Sequence, residues 1–275
     1  MEISDLFRRP PSITTPDVHA LIEQLPSDLY ALLDVRQPAE YEKGHLPGAL
    51  LIPLSDLQMR LGELDAGKKT IVYCRSGNRS LSAAGMLLSA GFREVLNMDG
   101  GILAYKGIVA GGSPEAAMFC VPGSLAAHEL LTMAWSLETG TLDFLRGLRA
   151  DISGDFEALL SGLIEGRESA RESLKTCCSE LMGVPPEMFP VCAGPHCEGV
   201  MAGCIRVPDA QRWAKGRTVA EVLEMLVAMS ATAYDHYLRL ARFSDRADVR
   251  RVFNALAEQE LGNVLRTAQA LEATL

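Results

Sequence analysis

The sequence has no excess of basic over acidic residues, which argues against a partner that is strongly negatively charged. Lys and Arg together number 26 against 35 Asp and Glu, so the formal net charge of the 275 residues is −9. A surface that binds a phosphate backbone needs clustered positive charge, so we expect no nucleic-acid partner. No apolar run approaches the ~20 residues that cross a membrane, so we expect no membrane partner either. The first residues, MEISDLFRRPPS, lack the apolar segment of a secretory signal, so we expect a cytoplasmic protein.

Cysteine is present in an odd number, seven, which is unusual for a scaffold of paired disulfides and favours a reducing compartment. Cys74 stands alone in the first half of the chain, and Cys120 lies near the expected domain junction. The others crowd into one short stretch: Cys177, Cys178, Cys192, Cys197 and Cys204. With His196, this stretch permits a zinc site, but it also permits apolar packing, reversible disulfides or thiols that accept sulfur from Cys74.

Apolar residues make up 48% of the chain, enough for sizeable cores, and the length fits one large domain or two ordinary ones at roughly 150 residues each. Residues 1–112 alternate helical and strand-like patterns, which predicts an α/β domain with a parallel sheet and helices on both faces. The predicted strands are 30–35, 50–53, 70–74 and 94–98, and Ser55 is predicted to cap a helix.

The composition changes at 113–123, a Gly- and Pro-containing stretch without periodicity, which we predict to be a linker. Everything in 124–275 is predicted to be helical. Thr218 and Glu221 form a capping-box pattern that opens the third of four long helices. A long connection over 183–217 separates the helices into pairs, so the pattern predicts a four-helix bundle with a crossover.

A cysteine at the end of a predicted strand carries the clearest chemical signal. Cys74 closes the strand TIVYC and is followed by the loop Arg75, Ser76, Gly77, Asn78, Arg79 and Ser80, after which the chain is helical. Loop amides and a helix N-terminus that surround a thiol lower its pKa and favour the thiolate. The two arginines would attract an anionic substrate. The alternative is a buried strand-end cysteine, which would leave the Gly, Arg and Ser residues of the loop unexplained.

The size of the loop separates two chemistries. Cysteine phosphatases use Cys-x5-Arg, a cradle for a tetrahedral phosphate. In this sequence Ser80 occupies the place of that arginine, and Arg79 comes one position earlier. The tighter ring favours a single sulfur atom attached to Cys74.

Residues 12–107 resemble a rhodanese domain in three motifs. The motifs are LLDVRQPAEYEKGHLPGALLIP at 32–53, CRSGNRS at 74–80 and MDGGILAYKG at 98–107, the last with Tyr105 where the family usually has Trp. The resemblance implies a sulfurtransferase. Cys74 would take a sulfane sulfur from a small donor such as thiosulfate, hold it as a persulfide, and pass it to cyanide or a thiol. The loop amides would stabilise the persulfide, and Arg75 and Arg79 would bind the donor.

Four further motif residues are interpreted as structural. We expect Arg36 and Glu40 to form a pair that braces the loop. We expect His45 to lie in a turn before a strand, and Asp34 to serve the fold in the same way. No cofactor is required for the chemistry that the resemblance implies.

The helical half resembles the ferritin-like and rubrerythrin-like di-iron bundles, in degraded form. Glu138 lies on an apolar helix face, where a lone charge is costly. Ser230 and Leu261 stand at ligand positions and cannot coordinate a metal, so the resemblance implies at most one residual metal ion. Its ligands would be Glu138, Glu165, Glu168 and Glu258. The alternative is that Glu165 and Glu168 are ordinary surface acids. His236 fits no ligand position and is predicted to lie on the helix surface.

The leading functional hypothesis is therefore a sulfurtransferase with a ferritin-like helical domain. The alternatives are a sulfur carrier or sensor without turnover, and a metal-binding redox protein of rubrerythrin-like descent. Because ferritin-like bundles often pair through helix faces, the resemblance also implies a homodimer through the helical domain.

Overall fold

The computed structural model describes residues 10–112, 126–149, 155–189 and 199–274. These residues fall into two compact units, within Met1–Pro114 and Glu115–Leu275. The boundary lies in the predicted linker, whose residues are outside the described ranges. None of the helices in the described ranges is long and apolar enough to cross a membrane.

The N-terminal unit is an α/β fold whose parallel sheet confirms the prediction. In chain order its elements are β1 (Ser12–Ile13), α1 (Thr15–Gln24), β2 (Tyr30–Asp34), α2 (Pro38–Glu42), β3 (Leu50–Leu51), β4 (Lys69–Tyr73), α3 (Asn78–Ser89), β5 (Val95–Met98) and α4 (Gly101–Ala104). The strand order is β1-β5-β4-β2-β3, and every pair is parallel. After β3 the predicted helix is absent; the chain forms turns and a short 3₁₀ helix, Leu61–Glu63.

The two faces of this sheet carry separate apolar cores. Successive strand residues point to opposite faces, so Leu33 and Val72 pack with α3 on one side. Leu32 and Ile71 pack with Val18 of α1 on the other side. Because β4 is central and buried on both faces, the residue that follows it emerges at the carboxyl edge of the sheet, where parallel α/β folds place their ligands.

The C-terminal unit is mainly helical, as predicted, and its four long helices share one apolar core. Its elements are α5 (Ala127–Arg149), α6 (Asp155–Met182), β6 (Val200–Met201), β7 (Ile205–Arg206), α7 (Val207–Ala214), α8 (Val219–Phe243) and α9 (Ala247–Glu272), with a 3₁₀ helix at Pro186–Met188. Helix α8 packs along α9, α5 along α6, and α6 against α9. The predicted capping box at Thr218 and Glu221 is confirmed at the start of α8.

A short antiparallel hairpin, β6–β7, corrects the expectation that everything after the linker is helical. The hairpin packs on α5 at Gly140, where an added Cβ would collide with the carbonyl oxygen of Val200. The backbone N–H of Ala202 donates a hydrogen bond to the Thr141 hydroxyl at 3.3 Å. Glycine is therefore required at this point of α5 for the close approach of β6.

Candidate functional site

Cys74 lies at the carboxyl edge of the sheet, directly after β4. Its side chain is buried, and Gly77 is the N-cap of α3, so Asn78, Arg79 and Ser80 of the predicted loop form the first turn of this helix. Gly77 has φ +98°, a left-handed conformation that favours glycine. This conformation turns the loop back so that its N–H groups face the thiol instead of solvent.

Hydrogen-bond donors surround the Cys74 sulfur. The Gly77 N–H donates to Sγ at 3.2 Å, and the Ser80 hydroxyl donates to it at 3.5 Å. Burial by itself raises the pKa of the Cys74 thiol. Hydrogen bonds from the Ser80 hydroxyl and from the amides of Ser80, Ser76 and Gly77 outweigh burial, so the pKa of Cys74 lies below its ordinary value. The arrangement favours a nucleophilic thiolate.

The Gly100–Gly101 segment holds this loop from the other side. The Ile102 N–H donates to the Cys74 carbonyl at 2.9 Å, and the Leu103 N–H donates to the Arg75 carbonyl at 3.1 Å. A Cβ on Gly101 would lie 2.5 Å from the Cys74 carbonyl oxygen and 2.6 Å from the Arg75 carbonyl. Gly101 also has φ +58°. The segment therefore fixes the backbone of the loop through contacts that only glycine permits.

The two loop arginines differ sharply in their surroundings. Arg79 donates two hydrogen bonds to Glu40, each 2.8 Å long. The hydrogen bond from Arg79 lowers the pKa of Glu40 to about 2, although partial burial opposes the shift. Arg75 is exposed and has no carboxylate partner among the described residues. Donor binding by the two arginines stays a prediction, and the structure shows only that Glu40 engages Arg79 and that Arg75 is exposed.

The prediction that Arg36 pairs with Glu40 is wrong. Arg36 instead binds Asp34 with hydrogen bonds of 3.0 Å and 2.6 Å, and it also donates to the Gly44 carbonyl at 2.7 Å. This buried pair leaves Glu40 to Arg79.

The remaining motif residues fit the expected structural role. His45 stacks on Tyr41 with ring centroids 3.6 Å apart, and the backbones of His45 and Ala110 exchange hydrogen bonds. The hydroxyl-bearing and amide side chains of the loop divide by exposure. Ser76 and Asn78 are exposed, whereas Ser80 is buried against the sulfur.

Comparison with known proteins places this site in a family. The sequence profile of the rhodanese-like domain matches residues 14–107. A protein of Allochromatium vinosum named "Sulfurtransferase" is 40% identical over 74 residues, which are 27% of this chain and 69% of that protein. The chain belongs to the rhodanese family. The profile match over residues 14–107 contains Cys74 and its loop, and it leaves the helical unit outside.

Other similar proteins are covered by this chain to different extents. The "Putative sulfur carrier protein YrkF" of Bacillus subtilis is 40% identical over 76 residues, and the chain covers 41% of that protein. The crystal structure of a rhodanese-like domain protein from Staphylococcus aureus aligns with 38% of this chain and 99% of its own, at 26% identity and a TM-score of 0.34. The chain thus spans less than half of YrkF.

The four glutamates predicted as metal ligands are not brought together. Glu138 is buried, whereas Glu165, Glu168 and Glu258 are exposed, and Glu168 pairs with Arg146 at 2.6 Å. In the described part of the chain, no group of three or more His, Cys, Asp or Glu side chains could hold a metal ion. The predicted ligand set was wrong because three of its members lie on the solvent side of their helices.

A buried arginine lies beside Glu138 in the helical core. Arg167 of α6 binds Glu138 of α5 at 2.9 Å and Glu260 of α9 at 2.5 Å, and all three side chains are almost inaccessible to solvent. The Tyr237 hydroxyl donates to Glu138, and the Asn263 amide donates to Glu260 at 3.1 Å. The guanidinium places a positive charge between the carboxylates, so these residues do not fit a di-iron centre.

Helical periodicity could have predicted that the charged residues of this network are buried. Arg167 continues the buried stripe of Leu160 and Leu163, and Glu260 continues that of Phe253 and Ala257. The ligand pattern instead favoured Glu165 and Glu168 on α6 and Glu258 on α9, which lie next to the buried positions on the solvent side.

His236 is buried, not on the helix surface as predicted. Burial, with a smaller contribution from the charge of Arg239, lowers the pKa of His236 to about 3. His236 is therefore neutral at physiological pH and packs as part of α8.

The cysteine-rich stretch divides into three kinds of position. Cys177 and Cys178 are buried in α6, and burial raises the pKa of Cys177, which disfavours a reactive thiolate. Cys204 is exposed in the turn of the hairpin, with φ +58°. Cys120, Cys192, His196 and Cys197 lie outside the described residues.

Proposed function

We propose that the rhodanese-like unit is a sulfurtransferase that works through a persulfide on Cys74. The donor would be a sulfane-sulfur compound such as thiosulfate, and the acceptor would be cyanide or a thiol. The observation that carries this proposal is the ring of donors around the Cys74 sulfur, at 3.2 Å from Gly77 and 3.5 Å from Ser80. Relatives named sulfurtransferase and putative sulfur carrier support a role in sulfur transfer in general.

The first half-reaction forms the persulfide. The Cys74 thiolate attacks the outer sulfur of thiosulfate, the sulfur–sulfur bond of the donor breaks, and sulfite leaves with the bonding electron pair. The amides of Ser76, Gly77 and Ser80 point to the sulfur of Cys74 and would stabilise the negative charge that the transferred sulfur carries. Arg75, which is exposed and directly follows Cys74 in the sequence, would bind the charged end of the donor.

The second half-reaction discharges the enzyme. A nucleophilic acceptor attacks the terminal sulfur of the Cys74 persulfide, the new sulfur–sulfur bond breaks, and the thiolate of Cys74 is restored. Cyanide would leave as thiocyanate, and a thiol would leave as its own persulfide. Only the thiol and the loop donors take part, so the cycle requires no cofactor.

A sulfur carrier without turnover is the second candidate, supported by the name of YrkF. An incubation with thiosulfate, followed by cyanide, tests both. Mass spectrometry should find one added sulfur atom on Cys74, and cyanide should remove it as thiocyanate over many cycles. Cys74 that charges once without multiple turnover would favour the carrier. Cys74 that never charges with any sulfane donor would refute both.

A further inference from the structure

Glu40 holds the guanidinium of Arg79 at the rim of the Cys74 site. The two hydrogen bonds are parallel and 2.8 Å long, the geometry of a bidentate arginine–carboxylate pair. Glu40 is itself fixed, because its Oε2, which accepts from Arg79, also accepts a hydrogen bond from the Gln37 N–H at 3.2 Å in the capping box of α2. The carboxylate therefore stays in place next to Arg79.

Among the described residues, no side chain other than that of Arg79 forms a hydrogen bond or ion pair with Glu40. Arg36, which the sequence offered as its partner, is bound to Asp34 and to the Gly44 carbonyl. Arg79 lies within electrostatic range of the nucleophile. Its pKa is raised first by the hydrogen bond to Glu40 and, more weakly, by the charge at Cys74. Arg79 directly precedes Ser80, whose hydroxyl donates to the Cys74 sulfur at 3.5 Å, so an anionic donor at this thiol would compete with Glu40 for Arg79.

We propose that Glu40 is a specificity-determining residue that withholds Arg79 from oxyanion donors, so that the site prefers organic persulfides to thiosulfate. This inference rests on the proposed sulfur transfer. Thiosulfate carries its charge largely on a sulfonate group, so Arg79 would add to Arg75 in stabilising the sulfite that leaves. An organic persulfide releases a thiolate and has no oxyanion at the reacting end, so Arg75 and the loop amides suffice.

Both donors give the same enzyme product by balanced steps. In each case the Cys74 thiolate bonds to the terminal sulfur of the donor and the donor's sulfur–sulfur bond breaks. Thiosulfate releases sulfite with the bonding electrons, and an organic persulfide releases its thiolate. No net oxidation or reduction occurs, so no further reagent is needed. The two reactions differ in the charge of the leaving group, the property that Arg79 would sense.

The role of Glu40 can be measured without any sulfur transfer. Iodoacetate and iodoacetamide alkylate the same thiolate and differ mainly in one negative charge, so the ratio of their rates at Cys74 reports the local field and cancels changes in the thiol pKa. Glu40→Gln removes the competing charge but keeps a hydrogen-bond acceptor. The ratio should rise about three- to tenfold, the range for a partly exposed charge-assisted contact. Rates are read from the Cys74 peptide by mass spectrometry.

Two variants serve as matched controls for this measurement. Glu63→Gln disrupts another two-bond arginine pair of the same unit, with Arg60 at 2.6 Å and 2.8 Å, and should leave the ratio unchanged. Adding Arg79→Ala to Glu40→Gln should abolish the gain, because the released guanidinium is its source. An unchanged ratio in Glu40→Gln, or a gain that survives the loss of Arg79, would overturn the proposal.

Charging of Cys74 by thiosulfate and by cysteine persulfide then tests the preference itself. Wild type should charge faster with the persulfide at equal concentration, and Glu40→Gln should raise kcat/KM for thiosulfate about three- to tenfold while changing the persulfide value less than about twofold. Equal gains for both donors would overturn the specificity role. If neither donor charges Cys74, the proposed sulfur transfer fails, and the alkylation ratio still decides whether Glu40 controls Arg79.

Discussion

Replacing Arg167 by Met should destabilise the helical unit strongly. Arg167 is the cation between two buried carboxylates, Glu138 at 2.9 Å and Glu260 at 2.5 Å. Met fills a similar volume with an apolar, flexible chain, so the substitution removes the charge without a large cavity. Both carboxylates would remain in the core without their counter-ion.

The expected loss is about 3–5 kcal/mol, the range for breaking a buried ion pair from one side. Such a loss is a large part of the roughly 5–15 kcal/mol that stabilises a typical domain. The loss should shrink at acid pH. A buried carboxylate without a counter-ion has a higher pKa in the folded state than in the unfolded state. It therefore destabilises the fold when it is ionised at higher pH, and this cost disappears when it binds a proton at lower pH.

Urea unfolding followed by tryptophan fluorescence measures the helical unit selectively, because both tryptophans, Trp135 and Trp213, lie in it. The matched control is Arg146→Met. It breaks the exposed Arg146–Glu168 pair between the same two helices and should cost at most about 1 kcal/mol. Adding Glu138→Gln and Glu260→Gln to Arg167→Met should restore much of the loss, because no unpaired charge then remains.

Two results would refute this reasoning. Arg167→Met could shift the free energy of unfolding no more than Arg146→Met does, or its cost could stay constant between about pH 8 and about pH 5.5. Either result would mean that the guanidinium does not neutralise the core carboxylates.

Three further predictions concern the thiol and the titration of the core. Cys74→Ser should abolish sulfur transfer with an unchanged circular dichroism spectrum, since an alcohol is not ionised near neutral pH; residual turnover would place the nucleophile elsewhere. Gly101→Ala should move the alkylation of Cys74 to higher pH, whereas Gly91→Ala, at φ +94° with open space around its Cβ, should not; equal shifts would exclude a specific contact. Burial raises the pKa of Glu260 to about 7 despite Arg167, so Glu260 contributes most to the stability of the helical unit below about pH 4.5, and this contribution is lost as pH rises through 7. A Glu260→Gln variant that keeps the same pH dependence of unfolding would contradict the assignment.

The sequence predicted the sheet and the position of Cys74 at its carboxyl edge because both are local patterns. The run from Thr70 to Cys74 is apolar and β-branched, and the observed strand differs from it by one residue at each end. The loop after Cys74 is continuous in sequence, so its glycine and serine could be assigned to the ring of donors from the motif alone.

The pairing of Glu40 could not be predicted in the same way. Arg36 lies four residues from Glu40 and is the partner that sequence spacing predicts, whereas Arg79 lies 39 residues away. Asp34 decides between them, because it forms a buried ion pair with Arg36 and leaves Glu40 to Arg79. Such competition depends on the folded backbone, and no local pattern encodes it.

The prediction of metal ligands in the helical core was wrong for a different reason, which is the register of the residues on each helix. A shift of two residues on a helix turns a side chain by more than half of the circumference. Glu258 therefore faces solvent while Glu260 is buried, although both fit a loosely spaced carboxylate pattern. The β6–β7 hairpin was missed because its strands have only two residues each, too few to show alternation.

The contacts of Gly101 also bear on when the thiol becomes reactive. The loop that activates Cys74 is tied to a segment that follows β5, through the Ile102 and Leu103 amides. In a chain where β5 has not yet joined the sheet, those ties are missing, and Cys74 has the pKa and reactivity of an ordinary cysteine. Activation is thus coupled to completion of the α/β unit, and a nascent or partly unfolded chain carries an ordinary thiol, which is less prone to oxidation than a thiolate.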